Sequence, residues 1–175
     1  MNNKYKAKFD KLEKEKSDWI KAVSLLNGEQ QNVQNCGKWS VLEHGYHLYL
    51  AEKGSLAYVK KKLSYNPKLK KAGFRMFFKN VALWIFMTSP FKFKAPKAVS
   101  QKNFPDDLSI EILETAWDKS RLELKAFLDS IGDQFLGLEV YKQPFAGRLT
   151  LEGMLRFFIL HQKRHFIHTR KQVKP

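Results

Sequence analysis

The chain has 175 residues, 43% of them hydrophobic, with 32 Lys/Arg against 17 Asp/Glu for a net charge of +15. That length fits one domain spanning 1–175 with a full core, and a lone cysteine, Cys36, excludes an internal disulfide framework and fits a reducing, cytoplasmic setting. The first ten residues hold no apolar signal region, and the longest uncharged run, Asn80–Phe91, falls well short of the roughly 20 residues of a membrane-crossing helix, so neither a secretory signal nor a transmembrane segment is expected.

Four long helices are predicted. The first runs from about Lys4 to Leu26, with Phe9, Leu12, Trp19, Ile20, Val23 and Leu26 at helical spacing, and ends at Gly28 and the polar run Glu29–Gly37. The second opens at Ser40, where Ser40 and Glu43 have the spacing of a capping box, and ends near Leu63, before Asn66-Pro67. A basic connection follows, 68–105. Its first half reads as an amphipathic helix with Phe74, Phe77, Phe78, Val81, Trp84 and Ile85 on one side; Pro90, Pro96 and Pro105 make its second half irregular. The third helix runs from about Ser109 to Ile131, with Ile110, Leu113, Trp117, Leu124 and Leu128 as its stripe. A loop over 133–148 leads to a fourth helix with Thr150 as N-cap. No internal repeat and no alternating strand stands out. The fold class expected is therefore all-α, a four-helix bundle with a long crossover between helices two and three, arranged as two helical hairpins.

The chemistry concentrates in the histidines, of which there are only five. His161 and His165 are spaced to project from one face of the fourth helix, since four steps of 100° return to within about 40° of the start. Leu151, Phe158 and His165 fall seven apart, as do Met154, His161 and His168, so the histidines continue the buried stripe of their helix. His47 lies on a face of helix two with Glu43, Ala51 and Gly54. Three imidazoles from two facing helices make a metal-ligand set of the kind found at open catalytic zinc sites. The alternative is three ordinary core histidines bonded to neighbours; spacing and both helix faces favour the metal. A zincin protease is excluded, because Gln162 stands where H-E-x-x-H needs its glutamate base.

Among the surrounding groups, Glu43 precedes His47 by one turn and could orient it or act as a catalytic proton acceptor. The capping box is the competing use of its carboxylate and the one we favour. His168 is a candidate catalytic donor to a substrate anion, or marks the solvent end of the bundle. His44 is read as stacking on Trp39, and Cys36 as incidental.

The segment Trp39-Ser40-Val41-Leu42-Glu43-His44-Gly45-Tyr46-His47-Leu48 resembles the W-S-x-x-E-x-x-x-H-L signature of the DinB/YfiT-like superfamily. Pro144-Phe145-Ala146-Gly147-Arg148-Leu149-Thr150, followed by His161 and His165, resembles that family's closing segment, and Phe93–Pro105 its connection between helices two and three. The resemblance implies a four-helix bundle holding a divalent metal on three histidines, here His47, His161 and His165. Nickel or zinc is the metal expected; iron and manganese also suit imidazole. It further implies a metal-dependent hydrolase, or a transferase that adds a low-molecular-weight thiol cosubstrate such as bacillithiol or mycothiol to a small electrophile. One departure is His168, where glutamine is expected.

The charge is uneven: thirteen Lys/Arg and no Asp or Glu lie between Lys53 and Pro105, interleaved with ten aromatics. Such a segment could bind nucleic acid or an anionic membrane without any enzymatic role. No zinc-finger, RRM or helix-turn-helix pattern supports nucleic acid. We favour a simpler arrangement, in which Phe74, Phe77, Phe78 and Trp84 cap the bundle and the lysines face outward, steering an anionic small-molecule substrate. Aromatics left exposed there would instead provide the contact of a homodimer.

Overall fold

The computed structural model describes residues 1–34, 39–90 and 95–173. Cys36 and the start of the Phe93–Pro105 stretch lie outside the described residues. The elements are α1 (Asn3–Ser24), α2 (Gly28–Asn32), α3 (Val41–Ser64), α4 (Arg75–Thr88), α5 (Ile110–Ser130), the strands β1 (Tyr141–Gln143) and β2 (Gly147–Leu149), and α6 (Leu151–Val173). The fold is all-α in character, with α1, α3, α5 and α6 as the bundle. No helix among the described residues is long and apolar enough to cross a membrane.

Local signals account for most boundaries. Ser40 and Glu43 form the capping box in full: the Ser40 hydroxyl accepts from the Glu43 N–H at 3.2 Å, and the Glu43 carboxylate accepts from the Ser40 N–H at 2.7 Å. Ser109 caps α5, and Thr150 accepts from the Gly153 N–H at 3.1 Å to open α6. Beyond α3 the chain turns through Asn66, whose φ of 46° lies in the left-handed region that asparagine tolerates.

Several small elements escape the sequence reading, among them a short helix and a hairpin. Asn27 and Gln30 form a second capping box that starts the five-residue α2 inside the polar run. An antiparallel hairpin, β1 with β2, spans the end of the predicted 133–148 loop and Leu149, turned where the Gln143 side chain accepts from the Phe145 and Ala146 N–H groups. Strands of three residues are too short for alternation to register.

The helices pair differently from the expected hairpins. α1 packs mainly on α5 and α6, and α3 on the same two, so the members of each expected hairpin, α1 with α3 and α5 with α6, stand diagonally. Gly45 serves this arrangement: a Cβ there would meet Leu113 Cδ2 and the Trp19 ring, each at 2.6 Å. The apolar core forms two clusters. One holds Trp19, Leu42, Leu48, Leu113 and Trp117; the other holds Phe9, Leu56, Leu128, Met154 and Phe158 with the hairpin and α4.

Arg121 joins three helices near their midpoints. Its guanidinium, 2% exposed, donates to both oxygens of Glu52 at 2.7 and 2.9 Å and to Glu13 at 2.8 Å, while Trp117 Nε1 also donates to Glu52. Removing one partner of such a pair strands a buried charge. Glu52→Ala should therefore lower unfolding stability by about 3–5 kcal/mol, read from urea melts followed by circular dichroism.

The orientation of α4 corrects the sequence reading. Its inward stripe contains the buried Leu83 and Met87, and the rings assigned to capping the bundle point outward: Phe74, Phe77 and Trp84 are 80%, 61% and 56% exposed. Two polar anchors set this rotation. Lys79, read as solvent-facing, donates to Glu139 Oε1 at 2.6 Å and the Arg148 carbonyl at 2.8 Å. Arg164 on α6 donates to the Met87 and Ser89 carbonyls, at 3.1 and 2.8 Å, at the negative end of the α4 dipole.

Candidate metal centre

α3 and α6 pack together with His47 on one and His161 and His165 on the other. His161 Nε2 stands 3.2 Å from His47 Nε2 and 3.1 Å from His165 Nε2. All three residues offer a ring nitrogen within a space 4.8 Å across, and together they could hold a metal ion. The sequence-predicted triad is therefore brought together as expected.

The outer nitrogens decide what the inner ones present. His47 Nδ1 lies 2.8 Å from the Val99 carbonyl, which can only accept, so Nδ1 carries the proton of the neutral ring and Nε2 offers a lone pair. His165 Nδ1 lies 2.7 Å from His44 Nδ1, so one ring donates to the other; donation from His165 leaves its Nε2 free to coordinate. His161 Nδ1 is buried without a hydrogen-bond partner among the described residues.

This donor set fits a divalent transition metal. Imidazole nitrogens bound at about 2.0–2.1 Å stand about 3.3–3.4 Å apart in a tetrahedron and about 2.8–3.0 Å apart at adjacent octahedral corners. The two Nε2 separations, 3.2 and 3.1 Å, fall between these limits.

Burial keeps the rings neutral. It pushes His161 and His165 well below the ordinary histidine range, and the charges of neighbouring rings push the same way. Burial lowers His47 as well, opposed by its bond to Val99. His44 is lowered to about 4 by burial, then by His168 and His47. Aromatic rings wall the cluster: Trp39 lies 4.8 Å from His47, and Phe157 stacks on His161 at 5.1 Å.

The other candidates fall around this centre. Glu43 forms the helix cap and also accepts from Gln34 Nε2 at 2.8 Å and from Gln101 Nε2. It makes no hydrogen bond to His47 among the described residues. Its link to the cluster runs through Gln101, two residues beyond Val99. His168 is exposed at the rim, stacked on His44 with ring centres 6.3 Å apart. His44 stacks edge-on against Trp39, as read from the sequence, and is also the partner of His165, a role the sequence reading missed. Val99 acts through its main chain, for which no side-chain signal exists.

The depressed histidines carry a pH signature. Between their ordinary value of 6.5 and their lower folded values, the unfolded chain binds more protons than the fold, so stability falls as pH falls. Urea melts of metal-stripped protein should show stability level above pH 6.5 and declining from there toward pH 4.

No curated protein and no solved structure matches the chain. A sequence profile of the DinB superfamily matches residues 11–168, which takes in α3 and α5, most of α1 and α6, and the three clustered histidines. The chain belongs to the DinB superfamily.

Proposed function

We propose that the chain is a divalent-metal-dependent enzyme acting on a small molecule, with His47, His161 and His165 as the metal ligands. The observation that carries this reading is the convergence of their Nε2 atoms, with His47 and His165 each held from behind at Nδ1. A divalent ion bound there, nickel or zinc first and iron or manganese otherwise, would supply Lewis acidity that makes a water or a low-molecular-weight thiol nucleophilic near neutral pH. Because the three rings are neutral, the protein adds no negative charge to oppose that effect.

The chain's own groups orient and exclude. The Val99 carbonyl and His44 fix the rotation of His47 and His165. Trp39 and Phe157 keep water from the ring faces. Glu43 has a positioning role: by holding Gln101 it steadies the turn that carries the Val99 carbonyl. His168, at the exposed rim, donates to an anionic group of the substrate or exchanges a proton with it. The net charge of +15 favours anionic reactants, including a carboxylate-bearing thiol cosubstrate. Thiol transfer to an electrophile and hydrolysis are the two reactions this arrangement suits.

Untagged protein should carry about one divalent ion per chain by elemental mass spectrometry, and His47→Ala should lose it while retaining its helical circular dichroism. His44→Phe should weaken metal affinity by about 10–100-fold, the usual effect of losing an outer partner. His168→Ala should keep the metal and lose turnover of thiol–electrophile or ester substrates. Protein that stays metal-free after dialysis against nickel and zinc overturns the reading.

A further inference from the structure

The outer face of α4 is an apolar surface that the bundle leaves uncovered. Phe77, Phe78, Val81, Trp84 and Ile85 fall at helical spacing along it, all exposed, and Phe74 extends the patch at its start. The Phe74, Phe77 and Phe78 rings touch one another, with centres 5.4–6.5 Å apart. The opposite face of the same helix already buries Leu83 and Met87. A helix apolar on both sides and covered on one implies a second apolar environment for the other.

The patch runs on into a groove of about 680 Å³ between α4, α1 and α6. Phe77, Val81, Trp84, Ile159 and Leu160 give it an apolar floor, and Lys8, Lys11 and Arg156 stand along it. Lys68, Lys70 and Lys71 in the segment before α4, and Arg75 at its first position, are exposed and make no ion pair among the described residues. No Asp or Glu lies anywhere between Lys53 and Pro105.

We infer that this face docks the protein on an anionic lipid surface, with the α4 rings at the level of the acyl boundary and the flanking cations among the headgroups. Charge selects this occupant over the others. A second copy docked about a two-fold axis would lay the same cationic margin against itself. Nucleic acid would call for cations interleaved with stacking rings, whereas the outer face of α4 past Lys79 carries no charge, and Val81 and Ile85 cannot stack on bases. An uncharged aromatic and aliphatic strip with cations at its margins is the pattern that binds acidic bilayers from one side. This inference goes beyond the metal chemistry and does not depend on it.

The test is flotation of the full chain with vesicles. It should float with equimolar phosphatidylcholine and phosphatidylglycerol, not with phosphatidylcholine alone, and release as salt is raised. Tryptophan emission should shift to the blue on binding, and Trp84→Phe should abolish the shift. Phe78→Glu combined with Ile85→Glu should leave thermal unfolding unchanged, since both side chains are exposed, and lower partitioning by about ten-fold or more. Lys71→Glu with Arg75→Glu should do the same through charge. Failure to float with phosphatidylglycerol overturns the inference, as does flotation indifferent to both variant pairs. A wild-type dimer in sedimentation that Phe78→Glu with Ile85→Glu dissociates also overturns it, in favour of a second copy.

Discussion

A neutral imidazole has one proton to give, and the Val99 carbonyl takes the one on His47. The inward nitrogen of His47 is thereby a bare lone pair, pressed within 3.2 Å of another imidazole nitrogen. Hydrogen bonding alone serves such a cluster poorly, because three inward nitrogens share too few protons. A cation with empty orbitals serves it well. That constraint passes outward: His47 needs Val99, Val99 needs its turn, and the turn is held through Gln101 by the Glu43 carboxylate that also starts α3. One carboxylate thus couples the first turn of a bundle helix to the placement of a candidate ligand.

The rest of the bundle makes that arrangement rigid. The core is divided, and the ion pairs of Arg121 with Glu52 and Glu13 tie α1, α3 and α5 together near mid-length. Buried charge of this kind adds little net stability compared with apolar packing, but a shifted register would leave it unpaired. Gly45 adds a steric condition, since only a residue without Cβ lets α3 pass the Trp19 ring and Leu113. Register and approach distance together bring residues 114 and 118 positions apart in sequence, His47 with His161 and His165, to one point.

The crossover works on different physics. α4 is apolar nearly all round, so burial alone does not choose which side faces inward. Two cations choose it, Lys79 by reaching Glu139 and the Arg148 carbonyl, and Arg164 by binding the carbonyls at the helix end. The aromatic strip is what remains outside. Its exposure follows from polar anchoring on the other side, and its meaning from the cations around it.

The sequence alone determined what rests on local chemistry. Helix periodicity, the Ser40–Glu43 and Thr150 caps and the one-turn spacing of His161 and His165 are all set within a few residues, so they were legible, and so was the pairing of His47 with them through their apolar faces. What depends on distant partners was not. The diagonal order of the helices, the contact of His44 with His165 and the use of a main-chain carbonyl on His47 leave no trace in a residue pattern. The rotation of α4 was misread for the same reason: hydrophobic spacing identifies an apolar face, but only tertiary contacts decide which of two apolar faces the protein covers.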